Sequence, residues 1–273
     1  MENIIALLTD FGTKGQHYVA AMKAVILKIN PLVKIIDVSH SISPYSIIEA
    51  SYLLKSTYKH FPKDTVFIIV IDPGVGSTRE IVVVKTNSNY YFVGPNNGIL
   101  PNVLDSSEIY ECINVQNKDY FNHPVSSTFH GRDIMAPIGA FITKNIDVKN
   151  FGPDFDFDNL VKNPIIYEID LENNQIIGSI QYIDSFGNCT TTIPIEKNKI
   201  KNSDLTLKVG SEISLKIFEQ IYKGKLVSHF SNVQPGSLLF IIGSSNLFEV
   251  SINQGNASER LGLKVGDKII IKL

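Results

Sequence analysis

The amino-terminal part of the chain alternates between short apolar runs and segments of helical periodicity, and this alternation constrains the fold most strongly. The runs Ile4–Thr9, Val33–Val38 and Thr65–Ile71 are typical of buried strands. Between them, Gln16–Asn30 and Ser46–Lys59 repeat apolar residues at helical spacing. A β-α-β-α-β order predicts a mainly parallel sheet whose strands have their carboxyl ends at one edge.

The pattern changes after the third strand. Ile81–Lys85 and Tyr90–Val93 are predicted to form a hairpin, and Ile134–Thr143 a helix despite Pro137. Between Phe151 and Pro164 the periodicity gives way to Gly, Pro, Asp and Asn, which indicates a domain boundary. We therefore predict an amino-terminal α/β domain over residues 1–160.

The carboxy-terminal part, residues 165–273, is predicted to be a second domain built from short strands separated by polar turns. One short helix is expected near Asn256–Leu261. This pattern of short strands and polar turns favours an antiparallel module resembling a barrel or a sandwich. The predicted strands are Ile176–Ile183, Thr190–Ile193, Leu205–Val209, Leu238–Ile242, Phe248–Ile252 and Lys268–Leu273.

Composition excludes several classes of function. The formal net charge is −2 without a long basic or acidic block, so neither a nucleic-acid nor an anionic-membrane partner is expected. Cys112 and Cys189 lie far apart and form no CxxC pair, which argues against a zinc site or a disulfide framework and fits a cytoplasmic protein. The first residues lack a secretory pattern, and no apolar run approaches membrane-spanning length. A small polar molecule is the expected ligand.

The stretch after the third strand, Ile71–Glu80, combines an acid, backbone-bending residues and a base. Pro73 fixes its own φ, while Gly74 and Gly76 allow a sharp turn that can aim Asp72 and Arg79 into one crevice. In open α/β sheets, ligands bind in the crevice outside the carboxyl ends of the strands. The simpler alternative is a tight turn with a surface ion pair.

A second polar stretch, Ser126–Asp133, precedes the predicted helix and contains His130. A carboxylate, a guanidinium and an imidazole can together hold a water and accept its proton, so Asp72, Arg79 and His130 are candidate catalytic residues. Histidines are more often surface or satisfied core residues, however, and Arg132 and Asp133 could simply pair with each other.

Other candidate binding residues allow more than one interpretation. Asp10, at the end of the first strand, could hold ribose hydroxyls or only cap its loop. Tyr45 could stack on a purine or on a cationic group, or only cover the core. The turns at 184–188 and 243–246 also look functional. GxGxxG, GxxxxGK[ST] and GxSxG motifs are absent, and no histidine and carboxylate set has metal-ligand spacing, so no metal is predicted.

Six motifs in register resemble those of the S-adenosyl-L-methionine (SAM) hydroxide adenosyltransferases, the water-using relatives of the fluorinating and chlorinating adenosyltransferases. The resemblance runs from about residue 4 to the carboxyl terminus. The motifs are Leu8–Gly12, Asp37–His40, Ile71–Gly76, Gly94–Gly98, Phe129–Asp133 and Ile183–Asn188.

This resemblance implies hydrolysis of SAM to adenosine and L-methionine without a cofactor, by a homotrimer whose active sites lie between neighbouring subunits. The family's water-handling set falls on Asp72, Arg79 and His130. The implied substrate-binding residues are Asp10, Phe11, Tyr45, Asp184, Phe186, Asn188, Ser244, Ser245 and Glu249.

The resemblance also separates this chain from the halogenating branch. Where halogenases carry a tyrosine and a small halide-holding residue, this sequence has Asp72 and Gly131. The negative charge of Asp72 disfavours a halide in a poorly hydrated site. A halide adenosyltransferase and a SAM- or nucleoside-binding module without turnover remain the alternative functions.

Overall fold

The computed structural model describes residues 3–272 and divides into two compact units. The first unit ends at Pro164 and the second begins at Ile165. Each unit has its own hydrophobic core. Among the described residues, no helix is long and apolar enough to cross a membrane.

The first unit is an α/β structure around a six-stranded, mostly parallel sheet. Its elements are β1 (Ile4–Thr9), α1 (Gln16–Ile29), β2 (Lys34–Ser39), α2 (Ile47–Thr57), β3 (Val66–Val70), β4 (Ile81–Thr86), β5 (Tyr91–Pro95), α3 (Ile99–Val103), β6 (Ile109–Asn114) and α4 (Ala136–Ile142). The strand order is β2-β1-β3-β5-β4-β6. Strands β2, β1, β3 and β5 are parallel to one another, and β4 runs antiparallel to both of its neighbours.

Strand β3 lies inside the sheet and is buried on both faces. Val66, Ile68 and Val70 belong to the core cluster shared with α1 and α4. Phe67 and Ile69 point to the opposite cluster, which contains residues of α2 and α3. Burial on both faces explains why this strand is a continuous apolar run rather than an alternating one. The predicted mainly parallel sheet is confirmed.

Helix α2 begins with a modified capping box. Ser46 accepts a hydrogen bond from the Glu49 amide at 3.4 Å, as the sequence spacing predicts. The Glu49 carboxylate, however, accepts from the Ser43 amide at 2.9 Å rather than from Ser46. The side chain of Glu49 therefore holds the loop that leads into the helix.

The predicted helix at Ile134–Thr143 begins earlier than expected. A π-helical turn, Gly131–Met135, leads directly into α4. Single π turns inside helices occur often at functional sites. His130 consequently caps a helix instead of lying in the loop before one.

The second unit is a closed, seven-stranded barrel, so the barrel alternative is confirmed over the sandwich. Its elements are β7 (Tyr167–Asp170), β8 (Gln175–Ile183), β9 (Cys189–Glu196), β10 (Lys199–Ile200), β11 (Glu212–Ile217), β12 (Gln220–Val227), β13 (Leu238–Ile242), β14 (Leu247–Ile252), α5 (Ala257–Leu261) and β15 (Lys268–Lys272). The barrel order is β9-β14-β13-β12-β11-β15-β8, closed by pairing of β8 with β9. All pairs in the barrel are antiparallel except β12 with β13.

One predicted strand is wrong. Leu205–Val209 forms a loop that pairs only through an isolated bridge between Lys199 and Thr206. Leu207 is nevertheless buried, so its apolar character reflects packing under the barrel rather than strand pairing. The prediction for the last strand extends to Leu273, which lies outside the described residues.

The elements that the sequence prediction missed are α3 and the strands β6, β7, β10, β11 and β12. In β11, the half-buried Ser214 and Lys216 alternate with buried residues, and in β12 the exposed Lys223 and Lys225 interrupt the apolar run. Edge strands and half-exposed strands give this weaker signal because only one face needs apolar residues.

Candidate functional site

Asp72 follows β3 and is held by two hydrogen bonds. Its Oδ1 accepts from the Gly74 amide at 3.1 Å and from Nη1 of Arg79 at 2.9 Å. The Asp72 side chain is only 6% exposed, whereas that of Arg79 is 28% exposed. A Cβ on Gly74 would lie 2.3 Å from Nη2 of Arg79, so the absence of a side chain there lets the guanidinium fold back onto the carboxylate.

The turn that carries Asp72 packs closely against the segment that leads to His130. Gly76 adopts a φ of 80°, and a Cβ there would lie 2.1 Å from the carbonyl oxygen of Ser127. Only glycine permits both this conformation and this approach of two backbones. The two polar stretches singled out in the sequence are therefore joined at this contact.

Asp133 anchors the same segment from inside. Its fully buried carboxylate accepts two bonds of 2.7 Å from Arg132, one of 2.9 Å from the Ser126 amide and one of 2.9 Å from Asn122. Burial alone would raise the pKa of Asp133, but the hydrogen bonds from Arg132, Ser126 and Asn122 together lower it. Arg132 and Asp133 thus pair with each other, and their role is to hold the chain around His130.

Asp10 reaches the same edge of the sheet from β1. Because β1 and β3 are parallel neighbours with Thr9 opposite Val70, Asp10 and Asp72 follow adjacent strand ends. Oδ2 of Asp10 accepts from the Tyr45 amide at 2.9 Å. Burial raises the pKa of Asp10 and the nearby charge of Asp72 adds to the rise, while the bond from Tyr45 lowers it.

These residues surround a cavity of about 300 Å³ in the first unit, which we call the substrate cavity. Asp10, Tyr45, Asp72 and His130 supply polar groups to its wall. Its other lining residues are Phe11, Pro44, Val70, Val75, Thr128, Phe129, Gly131 and Met135. A concave site with an apolar wall and a few convergent polar groups is the usual form of a small-molecule site.

Arg79 is not part of that wall. It lines a second cavity of about 520 Å³, whose wall His130 also joins. The structure therefore brings Asp72, Arg79 and His130 together, but with Arg79 behind Asp72.

The candidate residues of the second unit lie at one turn and along β14. Asp184 accepts at Oδ1 from the amides of Phe186 and Asn188 and at Oδ2 from the Asn188 side chain, each at 2.9 Å. The carboxylate thus holds its own turn in shape. Phe186 at the tip of that turn is 74% exposed.

Glu249 connects this turn with the one between β13 and β14. Burial raises the pKa of Glu249 and Asp184 adds to the rise, against hydrogen bonds from Ser251 and Thr190. Its Oε2 would lie 3.1 Å from a Cβ on Gly243. Ser244 and Ser245 follow Gly243, with Ser244 exposed.

Other chemistries have little support among the described residues. No three His, Cys, Asp or Glu side chains within residues 3–272 are arranged to hold a metal ion. Cys112 and Cys189 are buried, and burial raises the pKa of each thiol to about 12. Neither thiol can supply a thiolate nucleophile near neutral pH.

Sequence reasoning missed several residues of the cavity wall. Val75 lies within one of the recognised motifs, and Thr128 and Met135 lie just before and just after another, so their positions near Asp72 and His130 were the available signal. No sequence signal pointed to Ser127, because this residue contacts Gly76 through its backbone carbonyl.

The sequence and fold were compared with those of known proteins. The family model described as "SAM hydroxide adenosyltransferase N-terminal domain" matches residues 5–152, and its C-terminal counterpart matches residues 178–270. A Methanocaldococcus jannaschii protein named (R)-S-adenosyl-L-methionine hydrolase is 37% identical, over 98% of this chain and 95% of that protein. A fluorinase from an Actinoplanes species is 26% identical over 70% of this chain and 71% of that enzyme.

A crystal structure of an uncharacterized conserved protein from Thermotoga maritima superposes with a TM-score of 0.88 at 34% identity, covering 98% of this chain and all of that one. The fold, the two family models and the extent of the similarity to the M. jannaschii protein agree. The chain therefore belongs to the SAM hydroxide adenosyltransferase family.

Proposed function

We propose that this protein hydrolyses SAM to adenosine and L-methionine by in-line attack of water or hydroxide on ribose C5′. The observation that carries the proposal is the convergence of Asp72 and His130 on one cavity, with Arg79 bound to Asp72 at 2.9 Å. The relatives named as hydrolases are named for the (R) form of the sulfonium, so we propose that epimer as the substrate.

Asp72 has the geometry to hold the attacking water. Its two recorded hydrogen bonds both use Oδ1, so Oδ2 can accept a bond from a water in the cavity. Arg79 favours a partly deprotonated water through its positive charge, and Asp72 or His130 takes the proton. The sulfonium is a good leaving group and needs no proton from the protein.

The substrate cavity also favours the transition state electrostatically. Attack by hydroxide on a sulfonium cancels charge, and a site with little water favours the less charged transition state over the separated ions. Asp10 binds the ribose hydroxyls, while Phe11 and Tyr45 contact the adenosine. The enzyme contributes by positioning the nucleophile opposite the C–S bond.

The same proposal includes the oligomeric state and the cellular location of the protein. The protein acts as a cytoplasmic homotrimer without a cofactor, in which Asp184, Phe186, Asn188, Ser244, Ser245 and Glu249 of one subunit bind substrate held by the amino-terminal domain of its neighbour. Phe186 is 74% exposed at the tip of its turn, so its ring is accessible to a ligand held by another subunit.

The test is incubation of the purified protein with each sulfonium epimer in heavy-oxygen water. We expect adenosine to form from the (R) epimer with the label in its 5′-hydroxyl. Parallel reactions with chloride or fluoride should yield no halogenated nucleoside. Binding of SAM without adenosine formation would instead support the non-catalytic binding module, and a halogenated product would support the halide adenosyltransferase.

A further inference from the structure

The second cavity, which we call the rear cavity, differs in character from the substrate cavity. Its wall includes Ser77, Thr78, Glu80, Asn114, Gln116 and Lys118. Gln116 and Lys118 are exposed, so this part of the wall is in contact with solvent. A polar wall of this kind can hold hydrogen-bonded water.

The proposed water-handling residues form the partition between the two cavities. Asp72 lines the substrate cavity, Arg79 lines the rear cavity, and their ion pair joins the two sides at 2.9 Å. His130 lines both cavities. The partition is therefore made of side chains that can exchange protons or hydrogen bonds. The apolar part of the rear wall consists of Ile81, Val115, Phe121 and Ile134.

The imidazole of His130 is not committed to either side. No protein group within residues 3–272 hydrogen-bonds to the imidazole, and the residue is half-buried. Its backbone, in contrast, is fixed by the helix that it caps. Its ring nitrogens are therefore available to partners in both cavities.

We propose that the rear cavity is the solvent route of the reaction: it supplies the attacking water and removes the proton, while the substrate cavity stays closed by substrate. This inference rests on the proposed hydrolysis. It gives the enzyme a way to admit water without opening the substrate cavity, where bulk water would weaken the electrostatic interactions on which the reaction depends.

The step balances without a further reactant. The oxygen of water forms a bond to C5′, the C5′–S bond breaks, and its electron pair stays on sulfur as the thioether of methionine. One proton of the water passes to His130 and leaves through the rear cavity to solvent. Adenosine, methionine and one proton account for the cation and the water consumed.

The experiment narrows the rear cavity without touching the partition. Gln116→Trp and Lys118→Trp each add bulk at its mouth, and neither residue contacts the substrate cavity. Lys144→Trp is the matched control, because Lys144 is exposed at the end of α4 and lies outside both cavity walls. SAM affinity is measured by calorimetry and the chemical step by single-turnover adenosine formation.

We expect both rear-cavity variants to bind SAM as the wild type does and to form adenosine about tenfold more slowly. A general base contributes about 100-fold or more to a rate, and narrowing the route should remove part of that contribution. The control should keep the wild-type rate. Wild-type rates in both rear-cavity variants would overturn the solvent route while leaving the hydrolysis intact. A wild-type protein that forms no adenosine would overturn the proposed function itself.

Discussion

The Asp72 carboxylate combines near-complete burial with a charged partner. Its side chain is 6% exposed, and Oδ1 is shared between Arg79 and the Gly74 amide. A buried carboxylate of this kind can be replaced by an amide of nearly the same shape, which still accepts both bonds. The charge of the residue can thus be separated experimentally from its geometry.

Asp72→Asn should reduce adenosine formation by about 100-fold or more, because the amide lacks the negative charge that orients the attacking water and favours its loss of a proton. Single-turnover assays and SAM affinity are measured together, and we expect the affinity to change far less than the rate. Full activity in this variant would remove Asp72 both from the reaction and from the distinction between hydrolysis and halogenation.

Asp10 lines the same cavity, and its ionised carboxylate lowers the stability of the fold. Burial is the main cause of its raised pKa, followed in the same direction by the charge of Asp72. A carboxyl whose pKa is higher in the folded state than its ordinary value of 3.8 destabilises the fold at pH values where it is ionised. This cost disappears below pH 3.8, where the folded and unfolded chains are both protonated.

Asp10→Asn should therefore melt at a higher temperature than the wild type at neutral pH, and the difference should shrink as the pH falls toward 3.8. The measurement is a series of thermal melts across this range. Asp119→Asn, at an exposed position, is the control and should show no such gain. A lower melting temperature at neutral pH would mean that the bond to Tyr45 outweighs the ionisation.

At the scale of elements, the site depends on close contacts between the strand ends and the segment before α4. Gly76 approaches the Ser127 carbonyl, and a Cβ on Gly131 would lie 2.9 Å from Cγ1 of Val70 in β3. The buried Asp133 carboxylate then ties Arg132, Ser126 and Asn122 together. These contacts fix His130 relative to Asp72, because the segments that carry the two residues meet where Gly76 approaches the Ser127 carbonyl.

Gly76→Ala should destabilise the protein by about 1–3 kcal/mol, because the new methyl group would collide with a backbone oxygen that has no rotamer to change. Adenosine formation should fall more than SAM affinity, since the change separates Asp72 from His130. Denaturant unfolding and single-turnover assays measure the two effects. Gly210→Ala is the control, because Gly210 also has a positive φ but no atom within 4 Å of a Cβ.

If Gly76→Ala lost stability only to the same extent as Gly210→Ala, the backbone conformation rather than the contact with Ser127 would be the cause.

At the scale of the molecule, the proposed substrate-binding residues divide between two units with separate cores. Asp10 and Asp72 belong to the α/β unit, and Phe186 and Glu249 belong to the barrel. The proposed trimer places these groups on different subunits around one substrate. This arrangement makes activity a property of the assembly.

Mixing two impaired proteins tests that arrangement. Asp72→Asn and Phe186→Ala trimers, dissociated and reassembled together, should form adenosine faster than the mean of the two parents, because some sites then combine an intact α/β unit with an intact barrel. Reassembly of each parent alone is the control. Activity at the mean of the parents would place both residues in the site of a single subunit.

Much of the fold was predictable because its periodicity is local. The runs that became β1 and β3 are apolar because these strands are buried on both faces, and α1 and α2 repeat apolar residues at helical spacing. Strands β11 and β12 were missed because polar side chains, including Lys216 in β11 and Lys223 and Lys225 in β12, interrupt their apolar runs. The strand predicted at Leu205–Val209 was wrong because a buried loop can be as apolar as a strand.

The sequence by itself determined the alternation of strands and helices at the start of the chain, the family resemblance and the candidate residues, since these depend on residue type and spacing along the chain. Only the tertiary structure decided that the barrel closes and that Gly76 brings Ser127 beside the turn of Asp72. The physical reason is that these are contacts across long sequence separations, and local periodicity carries no record of them. The same holds for the partition of Asp72, Arg79 and His130 between two cavities, which exists only once the strand ends and α4 have packed.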